Sequence, residues 1–247
     1  LLLRRPVLVT GLPGIGKTSL GYSVAGRLGL GTPLRWNINS QTTLRDGLYI
    51  YDAVAHLGAT RATGGRDIDA ARSIGDYISL GPLGCAMLPS DRPRMLIVDE
   101  IDKANFDLAH DLLHVFEEGG FDIPELARLP GMASIHGTSA SGDPCRVDVK
   151  AGRIITRHHP VVVITSNGVR EFPEAFRRRC VELKLVRPPA ERLRAIVANQ
   201  LGDAAADEGL LEVENALKDQ ATDVVLQTLF LRGAGASVED VAVVLKR

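Results

Sequence analysis

Short apolar segments alternate with helical patterns along the first three quarters of the chain. Five segments of four or five residues predict buried strands: residues 6–10, 34–38, 95–98, 161–165 and 181–185. Residues 17–28 and 106–118 have apolar side chains at helical spacing and are followed by glycine, which predicts two amphipathic helices. Strands that alternate with helices predict an α/β fold with a five-stranded parallel sheet between helices.

The pattern becomes wholly helical after Pro188 and Pro189. Apolar faces at helical spacing recur in four segments: residues 190–201, 210–217, 222–231 and 237–245. Ser237 and Asp240 form a capping-box pattern at the start of the last segment. We therefore predict two domains, an α/β domain over residues 1–187 and a small all-helical domain over residues 188–247.

Residues 40–93 predict an insertion, because they are too many for a simple crossover between two strands. Within the insertion, residues 44–57 fit either a helix or a hairpin. Residues 60–69, with Thr63-Gly64-Gly65 at their centre, predict a loop.

Residues 121–160 have a mostly turn-like composition, with one exception. Two alternating segments, residues 145–149 and 153–156, flank the turn-forming sequence Lys150-Ala151-Gly152. They predict a β-hairpin at about residues 144–157.

The composition is that of a globular protein with a substantial core, since 45% of the 247 residues are hydrophobic and 24% are charged. The net charge of −1 argues against a dedicated nucleic-acid binder, which usually has a basic excess. Cys85, Cys145 and Cys180 are far apart and lack paired spacing, so we expect a reducing, cytoplasmic setting. No apolar run approaches the roughly 18 residues that a membrane span needs.

The most informative stretch is Val7–Ser19, which reads V-L-V-T-G-L-P-G-I-G-K-T-S. The glycines in it let backbone amides turn toward phosphate groups. Lys17 brings a positive charge to the outer phosphates, and Thr18 offers a hydroxyl to Mg²⁺ at the start of the predicted helix. A strand, a glycine-rich turn and a helix in this order predict a P-loop nucleotide site.

Polar residues after two later strands are candidates for the same site. Asp99 and Glu100 follow an apolar run, where Asp99 would hold Mg²⁺ through water and Glu100 would polarise the attacking water. Asn167 follows the strand at residues 161–165. Because the carboxyl ends of parallel strands meet at one edge of the sheet, we expect Asn167 to face Thr18 and Glu100 and to fix the γ-phosphate or the water.

Three consecutive arginines, Arg177, Arg178 and Arg179, precede the last predicted strand. One interpretation is a solvated basic corner. The other is an arginine delivered to the γ-phosphate of a neighbouring subunit, which is worth roughly 10³ to 10⁵ in rate where it has been described. The choice depends on whether the chain oligomerises.

Taken together, these segments resemble an AAA+ ATPase. The resemblance rests on four segments that match the family's Walker A, Walker B, sensor 1 and arginine-finger elements: Gly11–Thr18, Asp99–Lys103, Ile164–Asn167 and Pro173–Arg179. The insertion and the hairpin before sensor 1 are most similar to those of the MoxR branch. The resemblance implies a P-loop NTPase core with a helical lid, ATP and Mg²⁺ as cofactors, and a homo-oligomeric ring, commonly a hexamer. It also implies remodelling of protein partners, often ones with a von Willebrand A domain.

Carried over by position, the resemblance implies a role for individual residues. Nucleotide binding falls to the Walker A residues: Gly11, Pro13, Gly14, Ile15, Gly16, Lys17, Thr18 and Ser19. Mg²⁺ binding falls to Thr18 and Asp99. The catalytic roles fall to Glu100 (water activation), Asn167 (sensing of the γ-phosphate) and Arg179 or its neighbour Arg178 (the finger acting in trans).

The chain departs from the family pattern in the lid. The family usually has a second sensor arginine at the start of a lid helix, but here the matching helix opens Ala221-Thr222-Asp223 and Arg232 lies at its far end. This departure favours an alternative function, a regulatory switch that hydrolyses ATP slowly. A nucleic-acid-directed motor of restriction type is a third alternative, which the near-neutral charge disfavours.

Overall fold

A computed structural model describes residues 5–62, 74–128, 131–201 and 222–233 of the chain. The described strands are, in chain order, β1 (Val7–Thr10), β2 (Leu34–Asn37), β3 (Tyr49–Tyr51), β4 (Ile78–Leu80), β5 (Met95–Asp99), β6 (Gly120–Asp122), β7 (Met132–Thr138), β8 (Pro144–Lys150), β9 (Arg153–Ile155), β10 (Val161–Ser166) and β11 (Val181–Lys184). The described helices are α1 (Lys17–Leu28), α2 (Leu44–Leu48), α3 (Ala53–Ala62), α4 (Pro82–Ala86), α5 (Phe106–Glu118), α6 (Pro124–Ala127), α7 (Glu174–Arg179), α8 (Ala190–Leu201) and α9 (Thr222–Gly233). A 3₁₀ turn covers Ile101–Lys103.

The central sheet consists of the five strands that the sequence predicts, in the order β11-β1-β10-β5-β2. Both β10 and β2 run parallel to β5, with Val161 opposite Met95 and Asn37 opposite Asp99. Every residue of β5 is buried, because a central parallel strand is covered on both faces, and this explains its continuous apolar run. The predicted five-stranded parallel α/β fold is confirmed, and each strand begins and ends within one residue of its predicted bounds.

The two amphipathic helices α1 and α5 have the predicted bounds. α5 is anchored in the core by five apolar side chains: Leu108, Leu112, Leu113, Val115 and Phe116. α1 follows β1 through the glycine-rich turn, and α5 follows β5 through the 3₁₀ turn. The polar residues predicted to form the site therefore lie at strand-to-helix junctions.

A second sheet, which the sequence does not predict, has six strands in the order β3-β4-β7-β8-β9-β6. Its longest pairing joins β7 and β8 in antiparallel register, from Met132 opposite Lys150 to Thr138 opposite Pro144. The expectation that residues 121–160 are mostly turn-like is therefore wrong. Only Ala133 and Ile135 of β7 are buried, so this strand lacks the apolar run that marks the strands of the central sheet.

The hairpin and the insertion belong to this same second sheet. β8 and β9 pair on either side of Ala151 and Gly152, whose φ angles of 50° and 69° are those of a two-residue hairpin turn. β3 and β4 pair antiparallel within the insertion, and β4 then pairs with β7 through Ser79 and His136. The two segments that interrupt the α/β alternation thus share one sheet.

The first part of the insertion is a helix, a strand and a second helix rather than one helix or a hairpin. Thr43 caps α2 by accepting a hydrogen bond from the backbone of Asp46, whose side chain in turn accepts one from the Thr43 backbone. α3 continues to Ala62, so the loop predicted at residues 60–69 is wrong for its first three residues. Its centre, Thr63-Gly64-Gly65, lies outside the described residues.

Backbone contacts divide the chain into two units, residues 1–9 with 18–183, and residues 10–17 with 184–247. In the second unit, α8 and α9 pack through a small core of four side chains: Leu193, Val197, Val225 and Leu229. The helices predicted at residues 210–217 and 237–245 lie outside the described residues. The domain boundary after residue 187 stays a prediction.

Candidate functional site

The P-loop joins β1 to α1. Gly14 (φ 68°) and Gly16 (φ 94°) have left-handed backbone angles that residues with a Cβ rarely adopt, which explains the glycines at these two positions. Lys17 is 6% exposed, and its Nζ donates hydrogen bonds to the backbone oxygens of Gly11 at 2.9 Å and Leu12 at 2.8 Å. The lysine charge is therefore held against the loop backbone at the first residue of α1, where helix N–H groups are available to an anion.

Thr18 and Asp99, the two residues that the sequence assigns to Mg²⁺, lie side by side. The Thr18 hydroxyl donates a hydrogen bond to Oδ1 of Asp99 at 2.9 Å. Thr165 in β10 is fully buried, and its hydroxyl donates to the same oxygen at 2.6 Å. Two hydroxyls from neighbouring elements thus fix the orientation of the Asp99 carboxylate.

Arg35 in β2 provides the charged partner of Asp99. Asn37 lies opposite Asp99 in the register of β2 and β5, and Arg35 lies two residues earlier on the same face of β2. The Arg35 guanidinium donates to Oδ2 of Asp99 from Nε at 3.0 Å and from Nη2 at 2.5 Å. The arginine side chain is 47% exposed and the aspartate side chain 7% exposed, so this ion pair reaches from solvent into the protein.

The partners of Asp99 keep its carboxylate ionised. Burial raises the pKa of Asp99, but hydrogen bonds from Thr165, Arg35 and Thr18 and the charge of Arg35 outweigh burial. The pKa of Asp99 therefore lies below its ordinary value, and its carboxylate carries a negative charge that Arg35 compensates.

Glu100 has an unusual backbone conformation for a residue with a side chain. Its φ and ψ angles are 61° and 49°, in the left-handed region, which costs roughly 1–3 kcal/mol in a non-glycine residue. The Glu100 N–H donates to the Thr165 hydroxyl at 2.9 Å. Thr165 therefore connects the two acidic residues, because the same hydroxyl donates to Asp99.

The Glu100 carboxylate is held by two side chains. Nζ of Lys103 donates to Oε2 at 2.5 Å, and Nδ2 of Asn167 donates to Oε1 at 3.1 Å. The hydrogen bond from Lys103 lowers the pKa of Glu100, burial opposes it, and Asn167 lowers the pKa further. Glu100 is thus an ionised carboxylate at the carboxyl end of β5, in direct contact with Asn167.

Asp102 positions the loop that carries Asn167. Its Oδ2 accepts hydrogen bonds from the backbone N–H groups of Asn167 at 3.1 Å and Val169 at 3.3 Å. Asp102 is 4% exposed, and its Oδ1 is buried without a hydrogen-bond partner among the described residues. The 3₁₀ turn after β5 and the loop after β10 are therefore linked through one buried carboxylate.

The three consecutive arginines are each paired with a carboxylate of the same chain. The pairs are Arg177 with Glu182 through bonds of 2.7 and 2.9 Å, Arg178 with Glu174, and Arg179 with Glu117 at 2.8 Å. In addition, the Arg5 guanidinium donates to the backbone oxygens that follow one another at the end of α7: Arg178, Arg179 and Cys180. The described contacts of Arg178 and Arg179 thus do not include the Asp99 and Glu100 carboxylates.

Four residues around the site have no role assigned from the sequence alone: Arg35, Thr165, Asp102 and Lys103. Asp102 and Lys103 lie three residues after Asp99 and Glu100, so the acidic motif itself contained that signal. Arg35 carried no such signal, because its contact depends on β2 being the neighbour of β5 in the sheet.

The chemistry of the donors fits Mg²⁺. A hydroxyl and a carboxylate oxygen 2.9 Å apart, Thr18 Oγ1 and Asp99 Oδ1, are hard oxygen ligands of the kind that Mg²⁺ prefers together with water and phosphate. Within the described ranges, no group of three or more His, Cys, Asp or Glu residues is arranged to hold a metal ion.

None of the described helices has the length and apolar composition of a membrane span.

Comparison with known proteins gives one family and several solved structures. A sequence model of the AAA domain, dynein-related subfamily, matches residues 6–180. A point mutant of RuvB from Thermotoga maritima is 17% identical with a TM-score of 0.43, over 92% of this chain and 62% of that one. The FIGL-1 AAA domain in complex with ADP is 16% identical with a TM-score of 0.44, over 96% of this chain and 65% of that one. The chain thus spans less than two thirds of the length of these solved structures. No curated protein matches the chain.

Proposed function

The chain belongs to the AAA domain family, dynein-related subfamily, and from this premise we propose that it binds ATP with Mg²⁺ and hydrolyses it to ADP and phosphate. The observation that carries the proposal is the cluster at the carboxyl ends of β5 and β10. In it, Thr18 contacts Asp99 and Asn167 contacts Glu100. Ligands of open parallel sheets bind at this edge, which supports a nucleotide site there.

We assign phosphate binding to the P-loop residues Gly11–Ser19. The backbone N–H groups at the start of α1 would bind phosphate oxygens, and Lys17 would exchange its backbone partners for the outer phosphates. Thr18 would hold Mg²⁺ through its hydroxyl, and Asp99 through a bound water. When bound there, Mg²⁺ would supply positive charge that offsets the negative charge of the phosphate oxygens.

Glu100 is the base in this proposal, and Asn167 orients it. An ionised carboxylate is required to accept a proton from the attacking water. A glutamate is ionised at neutral pH at its ordinary pKa, and the hydrogen bonds from Lys103 and Asn167 lower the pKa of Glu100 further. The amide of Asn167 holds one carboxylate oxygen at 3.1 Å, which fixes the direction of the other. The strained backbone of Glu100 supports the same role, because such strain concentrates at functional positions.

Arg178 or Arg179 completes the site from a neighbouring subunit in this proposal. Their side chains are 74% and 47% exposed, and each pairs with an exposed glutamate. Exposed ion pairs contribute only about 0–1 kcal/mol, so either arginine is able to leave its partner for a phosphate. We therefore propose a homo-oligomeric ring, most simply a hexamer.

We further propose that the ring is of MoxR type and remodels a protein partner, in the manner of a chaperone. The second sheet supports this, because it is built from two segments added to the nucleotide-binding core, β3–β4 and β6–β9. Such added surface is suited to transmitting movement to a bound protein. A partner with a von Willebrand A domain is the one that the MoxR resemblance suggests.

The test of hydrolysis compares the wild type with Glu100→Gln, with Glu118→Gln as a matched control on the exposed end of α5. We expect Glu100→Gln to bind a fluorescent ATP analogue with Mg²⁺ as the wild type does and to lose about 10² to 10⁴ of its steady-state turnover. Glu118→Gln should retain both properties. Turnover of Glu100→Gln equal to that of the wild type would refute the assignment.

A regulatory switch is the second candidate function. The contact that favours it is the hydrogen bond of 2.5 Å from Nζ of Lys103 to Oε2 of Glu100. This bond uses one oxygen of the candidate base and would slow proton transfer from water. Single-turnover and steady-state measurements separate the candidates. A remodelling motor should turn over ATP continuously when its partner is present, whereas a switch should show one slow hydrolysis event for each nucleotide exchange.

A further inference from the structure

We propose that Arg35 is a displaceable counter-ion of the magnesium site, which competes with Mg²⁺ for the Asp99 carboxylate. The inference rests on the proposed function, since it concerns the same site. Arg35 contacts neither the P-loop nor the Glu100 carboxylate in the described interactions, and it acts through Asp99. It is therefore a positioning residue.

The hydrogen-bond capacity of Asp99 is fully used. An ionised carboxylate has about four acceptor positions, two on each oxygen. Oδ1 accepts from the hydroxyls of Thr18 and Thr165, and Oδ2 accepts from two nitrogens of Arg35. A water bound to Mg²⁺ needs an acceptor on this carboxylate, so one of these partners has to leave when the metal binds.

Arg35 is the partner that leaves at the least cost. Thr165 is fully buried in β10 and also accepts a hydrogen bond from the Glu100 backbone, so its loss would disturb both acidic residues. Thr18 is itself a proposed metal ligand. The Arg35 side chain is 47% exposed on the edge strand β2, so its guanidinium is able to move into water.

The charges point in the same direction. Without a metal, Arg35 compensates the negative charge of a carboxylate that is only 7% exposed. With a metal bound at Thr18 and Asp99, the Arg35 guanidinium would lie beside a second positive charge. The two positive charges would repel each other. Arg35 thus stabilises the metal-free site and raises the concentration of Mg²⁺ at which the metal replaces it.

The experiment measures Mg²⁺ dependence without hydrolysis. Fluorescent ADP is held at a fixed concentration, Mg²⁺ is titrated, and the half-saturating Mg²⁺ concentration is recorded for the full chain. The variants are Arg35→Gln, which removes the charge, and Arg35→Lys, which retains it. Arg157→Gln is the matched control, because Arg157 pairs with Asp91 elsewhere on the surface.

We expect Arg35→Gln to lower the half-saturating Mg²⁺ concentration by roughly two- to fivefold, the scale of a partly exposed ion pair. Arg35→Lys should stay closer to the wild type than to Arg35→Gln, and Arg157→Gln should equal the wild type. In thermal melts with EDTA, Arg35→Gln should unfold at a lower temperature than the wild type. Addition of Mg²⁺ and ADP should raise the melting temperature of Arg35→Gln more than that of the wild type. The reason is that, without Arg35, the charge of Asp99 is less compensated before the metal binds to the folded state.

Four results would overturn the inference. An unchanged half-saturating Mg²⁺ concentration in Arg35→Gln would show that Arg35 does not affect metal binding. A higher concentration would show that Arg35 assists metal binding, as a ligand or an orienting group. A shift in Arg35→Lys equal to that in Arg35→Gln would remove charge as the cause. A wild-type chain that binds no ADP with Mg²⁺ would overturn the proposed function together with this inference, which distinguishes the two failures.

Discussion

The side-chain amide of Asn167 donates a hydrogen bond to Oε1 of Glu100 at 3.1 Å. The two residues are 67 positions apart in the chain, and they meet because β5 and β10 are parallel neighbours that end at the same edge of the sheet. Glu100 also accepts a hydrogen bond from Lys103, so its carboxylate is held from both sides. This arrangement determines how the candidate base responds to mutation and to pH.

Lys103→Met should shift the acid limb of the pH profile of turnover to higher pH. The hydrogen bond from Lys103 is the largest cause of the lowered pKa of Glu100, so its removal raises the pKa toward the ordinary value. A base works only when ionised, and turnover is lost as the pH falls through its pKa. Steady-state turnover from pH 4 to pH 8 at saturating Mg²⁺ and ATP measures the shift.

The stability of the same variant gives an independent check with a defined sign. A lowered pKa in the folded state contributes stability above the pKa of the unfolded state, and this contribution is lost as the pH falls through the folded-state pKa. The difference in melting temperature between the wild type and Lys103→Met should therefore be largest at neutral pH and should disappear in acid. An acid limb at the same pH in both proteins would contradict the assigned role of Lys103.

Asp102→Ala should reduce both stability and turnover, because Asp102 supports the loop that carries Asn167. The substitution removes the acceptor of the backbone N–H groups of Asn167 and Val169, and a typical hydrogen bond contributes about 0.5–1.5 kcal/mol to stability. Asp102→Asn retains an acceptor oxygen and should recover most of the melting temperature. Urea denaturation gives the free energy of unfolding. An unchanged value in Asp102→Ala would show that the loop does not depend on this carboxylate.

Gly84→Ala should destabilise the packing of α4 against the end of α2 within the insertion. A Cβ on Gly84 would lie 1.9 Å from the backbone oxygen of Leu48, so the backbone has to move, and overpacking of this kind costs about 1–3 kcal/mol. Gly58→Ala is the matched control, because Gly58 lies inside α3 with no atom near the added methyl group. That control should be stabilised by roughly 0.5–1 kcal/mol through helix propensity.

Thermal unfolding of both glycine variants tests the pair. Equal melting temperatures for Gly84→Ala and Gly58→Ala would show that α4 and the end of α2 do not pack as closely as the distance to Leu48 implies. A lower melting temperature in Gly84→Ala alone would support the close approach of Gly84 to Leu48.

The sequence predicted the central sheet because its strands are buried on both faces, and burial on both faces requires a continuous apolar run. The six-stranded sheet escaped prediction because its strands are half exposed. β8, for example, has one buried residue among its seven, so its composition is that of a surface segment. Burial in that sheet is decided by which strands come together, and pairings between β4 and β7 or β6 and β9 are not encoded in local periodicity.

The same reasoning applies to the candidate site. Thr18, Asp99, Glu100 and Asn167 were predictable because each follows a recognisable strand or turn, and parallel strands bring their ends together. Arg35 was not predictable, because a polar residue in a short edge strand is common. Only the adjacency of β5 and β2 in the sheet brings Arg35 to Asp99. Local patterns thus identified residues at element ends, whereas contacts across the sheet required the fold.

Arg178→Ala and Arg179→Ala should separate the two candidates for the arginine that acts in trans. The ion pair of Arg178 with Glu174 is the more exposed, at 74% and 73%, against 47% and 55% for Arg179 with Glu117. Arg178 is therefore the easier of the two to release to a neighbouring subunit. We expect the larger loss of turnover in Arg178→Ala, up to about 10³-fold, with nucleotide binding retained.

Mixing subunits tests whether the arginine acts between chains. Inactive Arg178→Ala subunits retain Glu100, and inactive Glu100→Gln subunits retain the arginine, so a mixed ring contains interfaces where an intact base faces an intact arginine. Turnover of the mixture should exceed that of either variant alone. Arg177→Ala serves as the control, because Arg177 is held by two hydrogen bonds to Glu182 and should keep near wild-type turnover. If the mixture stays as inactive as its components, the arginine acts within its own chain or stabilises α7, and the ring loses its main support.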